Sequence, residues 1–187
     1  MQRCGEITQL LDEVTAGNEA ARQRLFEIAY EELRSIAAGL MQSERPDHTL
    51  QPTALVHEAV RRLLEGLAAP TDRGRTYFLG TVARTMRRVL IDHARARKAE
   101  RRGGRRSRAP LDAVVDVVQQ KSRIDLVALD DALERLAQTC QRHADVVVLK
   151  FFGGMTTHEI AQHLQISKST VESDWRLSRA WLSRELE

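Results

Sequence analysis

The sequence has few of the residues that cross-link a chain or interrupt its helices. Its 187 residues include two cysteines, four prolines and 4% aromatic side chains. The two cysteines, Cys4 and Cys140, are far apart and show no metal-ligand spacing, which is typical of free thiols in a reducing cytoplasm. The longest strongly apolar run, residues 146–149, ends at Lys150, and the N-terminus has no apolar signal core. We therefore expect a soluble cytoplasmic protein with no membrane span, no metal and no cofactor.

Residues that favour helices dominate the rest of the composition. Ala, Leu, Arg and Glu are frequent, alternating β-branched runs are few, and 42% of the residues are apolar, which is enough to bury a core. The predicted fold class is all-α, with two small helical domains joined by a flexible linker and a helix-turn-helix in the second domain.

Two adjacent glycines indicate where the first domain ends. A long basic helix is expected from about Arg75 to about Arg101, and Gly103 and Gly104 should end it. Residues 103–124 show no sustained helical period and are predicted to be a linker, which could reach roughly 70 Å when fully extended. The predicted domains are therefore residues 1–102 and 125–187.

Charge is distributed unevenly along the chain although the net charge is only +3. Residues 73–108 contain 13 basic and 2 acidic side chains, whereas the segments on either side are mildly acidic. A basic block of this density suits a polyanion such as nucleic acid, because each Lys or Arg placed on a phosphate releases condensed counterions. A solvated Arg-rich helix face is the alternative interpretation of the same block.

The spacing of residues 156–182 is typical of a helix-turn-helix. Thr156 and Glu159 match a capping box at the start of a short helix, residues 165–167 form a tight turn, and Ser167 can cap a longer second helix. In such a motif the exposed N-terminal half of the second helix enters the major groove of DNA. A three- or four-helix domain with one short connection is the alternative. The polar residues left available to DNA are Lys168, Ser169, Thr170, Glu172, Ser173 and Arg176.

Three stretches resemble one protein family in the expected order. Residues 154–171 (GMTTHEIAQHLQISKSTV) resemble the promoter-reading domain of sigma factors, and also the LuxR-type helix-turn-helix. Residues 55–63 (LVHEAVRRL) resemble the sigma helix that docks on the polymerase clamp. Residues 77–84 (YFLGTVAR) and 91–97 (IDHARAR) resemble the helix that captures the melted minus-ten element. The chain thus resembles the bacterial extracytoplasmic-function (ECF) RNA polymerase sigma factors. A stand-alone LuxR-type regulator is the alternative, although no receiver or ligand domain precedes the motif.

This resemblance implies a function in transcription initiation with three sets of contact residues. The contacts expected at the minus-thirty-five element are Lys168, Ser169, Thr170, Ser173 and Arg176. The contacts expected at the minus-ten element are Tyr77, Arg84, Arg87, Arg88, Arg95, Arg97 and Lys98. The contacts expected with the beta-prime clamp of core RNA polymerase are Leu55, Val56, His57, Glu58, Arg61 and Arg62. Promoter DNA and core polymerase are the implied partners, and an anti-sigma factor is a further candidate.

Some of these positions depart from the family pattern or have a second interpretation. Tyr77 could stack on a base, but an aromatic residue beside Phe78 and Leu79 is more often part of a core. His57 stands where an amide is expected, which leaves its partner open.

The recognition helix carries two acids, Glu172 and Asp174, where basic residues are common in relatives. They argue against phosphate contacts there, and we expect them to pair with Arg176 or Lys168.

Enzymatic function has little support in the sequence. The adjacent pairs His57-Glu58, Asp92-His93 and His158-Glu159 cannot face each other on a helix, and no HExxH, phosphate loop or nucleophile elbow is present. We expect no catalytic residues, and a nuclease-like basic protein is the enzymatic alternative. No fused regulatory domain is expected after Leu182.

Overall fold

The computed structural model describes residues 2–41, 50–66, 75–103 and 125–186, and these residues form helices without any strand. The all-α prediction is therefore confirmed. No helix in these ranges is long and apolar enough to cross a membrane. In chain order the helices are α1 (Gln2–Thr15), α2 (Glu19–Met41), α3 (Leu50–Gly66), α4 (Arg75–Gly103), α5 (Leu126–Thr139), α6 (Gln141–Phe151), α7 (Thr157–Leu164) and α8 (Lys168–Glu185).

Side-chain caps set several of the helix boundaries. The Asn18 side chain accepts hydrogen bonds from the backbone N–H groups of Ala20 and Ala21, at 3.0 and 3.2 Å, and so begins α2. Asp125 caps α5 in the same way. The end of α4 at Gly103 agrees with the expected stop at two glycines. The helical spacing of Ile7, Leu10, Leu11 and Val14 predicts a first helix from near Glu6, whereas α1 begins earlier, at Gln2, because its first turn adds no periodic apolar signal.

Helices α1 to α4 pack together in the first half of the chain. α2 lies against α1 and α3, and α3 lies against α4. Helical spacing predicts a buried face on α4 that includes seven residues, of which only His93 is half-buried rather than buried. The buried members of that face are Phe78, Leu79, Val82, Met86, Val89 and Leu90.

Helices α5 to α8 form the second half, and α4 joins the two halves. α6 packs against α5 and α8, and α7 packs against α8. α4 contacts α5, α6 and α7, so that the buried apolar residues of both halves form one continuous cluster. The contact between Gly153 and α4 is close: a Cβ added to Gly153 would lie 2.7 Å from the Cβ of Ala83. The predicted linker, residues 103–124, lies outside the described residues except for Gly103.

Candidate nucleic-acid interface

The start of α7 is a complete capping box. The Thr156 hydroxyl accepts from the backbone N–H of Glu159 at 3.3 Å, and the Glu159 carboxylate accepts from the backbone N–H of Thr156 at 2.9 Å. Ser167 caps α8 by accepting from the N–H of Thr170 at 3.1 Å. Between these caps, Gln165 adopts the left-handed conformation with φ of 55°. These local interactions establish the predicted helix-turn-helix.

The first turns of α8 present most of the predicted minus-thirty-five residues to solvent. Lys168, Ser169 and Arg176 are exposed, while Thr170 and Ser173 are half-buried. The hydroxyls at the start of the helix are connected, since Ser167 Oγ lies 2.8 Å from Ser169 Oγ and 2.7 Å from Thr170 Oγ1. The N-terminal end of α8 thus offers hydroxyls, a lysine and the positive end of the helix dipole, a combination that suits phosphate.

One acid of the recognition helix has a different partner from the one predicted. Asp174 pairs with Arg142 of α6, whose Nε donates to its Oδ2 at 2.6 Å, and with His143 at 3.2 Å, instead of with Arg176 or Lys168. Its side chain is 5% exposed. Asp174 therefore holds α8 on α6 and takes no part in the exposed surface, so its negative charge is compensated within the domain.

Four of the predicted minus-ten cations share one face of α4. Arg87, Arg95 and Lys98 follow Arg84 by 3, 11 and 14 residues. These spacings are close to one, three and four turns of an α-helix, so the four side chains lie on the same side. We call Arg84, Arg87, Arg95 and Lys98 the basic stripe. Arg88 is exposed at a neighbouring angle, and Arg97 lies within α4 but its side chain is outside the described part of the structure.

Each member of the basic stripe meets an aspartate from the second half of the chain. Arg87 Nη2 lies 2.6 Å from Asp130 Oδ1, and Arg95 Nη2 lies 2.9 Å from Asp130 Oδ2. The side chain of Asp130 is only 7% exposed. The other pairs are longer: Arg95 to Asp131 at 3.3 Å, Lys98 to Asp125 at 3.5 Å and Arg84 to Asp145 at 3.8 Å. We call Asp125, Asp130, Asp131 and Asp145 the acidic patch.

Tyr77 and Gly80 extend the same face of α4 and meet α7. The Tyr77 ring is half-buried and its centroid lies 6.2 Å from that of the His163 ring. A Cβ added to Gly80 would lie 2.5 Å from Cε1 of His163, so the missing side chain makes room for the imidazole. Burial lowers the pKa of His163, and the positive charge of Arg84 acts in the same direction.

The predicted clamp surface on α3 divides into a buried and an exposed part. Leu55 and Val56 are fully buried, so they support the helix from inside. His57 is exposed, with its Nε2 3.5 Å from the Tyr30 hydroxyl.

A charged network occupies the outer side of α3. The Glu58 carboxylate accepts from Arg61 and Arg62, both at 2.7 Å, and Arg62 also donates to Asp92 of α4 at 2.5 Å. The hydrogen bonds from Arg61 lower the pKa of Glu58, so this carboxylate stays ionised at neutral pH.

The sequence contains a signal for the burial of two acids, Asp130, which sequence reasoning missed, and Asp174, whose burial it did not predict. Asp130 lies four residues after Leu126 and three before Leu133, and Asp174 lies three residues after Val171, so both stand on inward helical faces. An acid on an apolar stripe is expected to be buried with a cationic partner. The partners themselves, 43 and 32 residues away, follow from tertiary packing only.

The fold and these surfaces define an all-helical DNA-binding protein built around a helix-turn-helix. In the part of the chain that the structure describes, no group of three or more His, Cys, Asp or Glu residues could hold a metal ion. The family model of the ECF sigma factors matches residues 4–187. The chain belongs to the ECF sigma factor family, and hence to the sigma factors that act with RNA polymerase on promoter DNA in transcription initiation. No curated protein matches it significantly.

Proposed function

We propose that this protein directs core RNA polymerase to specific promoters and assists promoter melting, with residues 1–102 and 125–187 as its two DNA-binding domains and residues 103–124 as the linker. α8 would read the minus-thirty-five duplex through Lys168, Ser169 and Arg176, with Thr170 and Ser173 beside them. The observation that carries this proposal is the capped helix-turn-helix with the first turns of its recognition helix exposed, in a chain whose helix α4 bears the basic stripe.

At the minus-ten element, α4 would hold the separated strand. Its cations suit the backbone of a single strand, and Tyr77 could stack on an unpaired base once it is free of His163. The residues assigned to this role are Tyr77, Arg84, Arg87, Arg88, Arg95, Arg97 and Lys98.

Docking on the beta-prime clamp is assigned to the outer side of α3. His57, Glu58, Arg61 and Arg62 would make the contact, while Leu55 and Val56 maintain the helix from the core. We also propose a cytoplasmic location, no catalytic activity of its own, and control by an anti-sigma factor, which is typical of the family. No observation favours the stand-alone LuxR-type regulator over this function.

Run-off transcription tests the proposal directly. The purified chain is mixed with sigma-free core polymerase and a library of genomic fragments, and specific transcripts are expected. Replacing Arg84 and Arg88 with alanine should abolish them, while the same replacement of Arg22 and Arg34, two exposed arginines of α2, should leave them. Failure to bind core, with tight duplex binding, would favour a stand-alone regulator instead.

A further inference from the structure

Four of the cations assigned to minus-ten DNA, the basic stripe, already form ion pairs within the chain. Arg87 and Arg95 share Asp130, and Lys98 and Arg84 meet Asp125 and Asp145. A carboxylate offers an arginine the same kind of charged oxygen acceptors as a DNA phosphate does. The acidic patch and a DNA backbone must therefore compete for the same face of α4.

We propose that α5 to α8 hold α4 in an autoinhibited closed state, in which the acidic patch takes the place of DNA phosphates on the basic stripe. The inference rests on the proposed minus-ten role of α4, and it adds that the protein must open before that role can be performed. The closed state covers Tyr77 as well as the cations, because the Tyr77 ring faces His163 across the same contact.

The inhibition is selective for one of the proposed surfaces. Lys168, Ser169 and Arg176 of α8 stay exposed in the closed state, and so does Arg61 in the network on α3. Duplex DNA and the polymerase clamp can thus reach their surfaces before opening, whereas a melted strand has to displace the acidic patch from the basic stripe. This order would keep the basic helix from binding single strands away from a promoter.

The contact has features of a reversible interface. Two close approaches lie within it, Gly80 of α4 against His163 and Ala83 of α4 against Gly153. Its edge is made by ion pairs, and apart from Asp130 the acids and cations are partly exposed to salt. Exposed ion pairs contribute little and are screened by salt, so among the ion pairs of the contact closure should depend most on those of Asp130 with its two arginines.

The first test compares Asp130→Asn with Glu134→Gln in the full chain. Glu134 is an exposed acid on the same helix, so both variants lose one negative charge, but only the first removes a partner of the basic stripe. Small-angle X-ray scattering should give a radius of gyration of about 16 Å for the compact wild type. It should give a clearly larger value for Asp130→Asn and the wild-type value for Glu134→Gln. Equal radii for all three proteins would overturn the inference.

A second variant opens the contact without changing charge. Gly80→Ala places a methyl group 2.5 Å from the His163 ring and favours α4 itself, because alanine is the better helix former. The radius of gyration should increase in Gly80→Ala and return toward the wild-type value when His163→Ala is added. Helix content from circular dichroism distinguishes opening from unfolding, and an open wild type or an unchanged Gly80→Ala would contradict the proposal.

Binding of a fluorescein-labelled, mixed-sequence single strand then connects closure with function. Asp130→Asn should bind this strand about tenfold more tightly than Glu134→Gln at equal net charge, as expected when charged contacts no longer compete. If Asp130→Asn expands but binds no better than Glu134→Gln, the closed state exists but the DNA role of α4 is wrong. If it does not expand, the autoinhibition is wrong whatever the DNA result.

Discussion

The capping box of α7 is the residue-scale feature that the helix-turn-helix depends on most directly. The Thr156 hydroxyl accepts from the Glu159 N–H and also lies 2.8 Å from the Glu159 carboxylate. Thr156→Ala should lower the free energy of unfolding by about 1 kcal/mol, the usual effect of losing an N-cap side chain. Thr156→Ser keeps the hydroxyl and is the matched control. Urea unfolding measures both, and an equal loss in the serine variant would show that the methyl group, not the cap, is responsible.

The turn after α7 offers the opposite test, a substitution that should stabilise. Gln165 has φ of 55°, a conformation that costs a residue with a Cβ about 1 kcal/mol, whereas glycine adopts it freely. Gln165→Gly should therefore raise the free energy of unfolding by about 0.5 to 1 kcal/mol. Gln162→Gly, at an exposed position inside α7, should lower it by about 1 kcal/mol. A destabilised Gln165→Gly would mean that the glutamine side chain has a structural role that its exposure does not suggest.

At the scale of the helix, the outer side of α3 allows the clamp assignment to be separated from folding. Arg61 is exposed and pairs with Glu58 of the same helix, so Arg61→Glu should leave the fold intact while reversing a charge on the proposed surface. The affinity of the Arg61→Glu variant for core polymerase should fall about tenfold or more, since like charges across an interface are costly. The control is Arg22→Glu, the same substitution at an exposed position of α2. Unchanged core binding in Arg61→Glu would move the clamp surface elsewhere.

The helices differ in how far their surroundings could be predicted from the sequence. The apolar face of α4 and the caps of α7 and α8 were predictable, because their signals are local and lie within one or two turns. The complete burial of Leu55 and Val56 was not, because adjacent apolar residues on α3 do not reveal how many neighbours surround the helix. The prediction that Asp174 pairs with Arg176 or Lys168 was wrong for the same reason, because its partner Arg142 comes from a different helix.

At the scale of the whole molecule, the distribution of charge along the sequence predicted the basic block. It did not predict that aspartates of the second half would pair with its cations. The sequence placed an acidic segment on each side of residues 73–108, and the structure brings one of them onto α4. Which acid meets which cation depends on the docking of two helical halves, and no periodicity encodes that docking. The proposed minus-ten role requires the cations of α4 to be available to DNA, whereas the contact between the two halves pairs them with aspartates. Under the proposal, this contact therefore has to open before the protein can act.

The pH dependence of closure follows from His163, which lies at that contact. Its pKa is lowered by burial and by Arg84 of α4, while Asp145 of α6 and the backbone of Thr76 act in the opposite direction. Because the pKa is lower in the closed state than in the open state, protonation favours opening. Closure should thus be complete above the ordinary histidine pKa of about 6.5 and weaken as the pH falls below it.

Scattering from the full chain between about pH 8 and pH 5.5, a range that spans the histidine titration, measures this effect. The radius of gyration should rise on acidification in the wild type and in His158→Ala, which removes an exposed histidine from the same helix. In His163→Ala the radius should no longer depend on pH over this range, because the imidazole that titrates at the contact has been removed. An equal rise in His163→Ala would assign the pH dependence to another group and leave the ion pairs of Asp130 as the main determinant of closure.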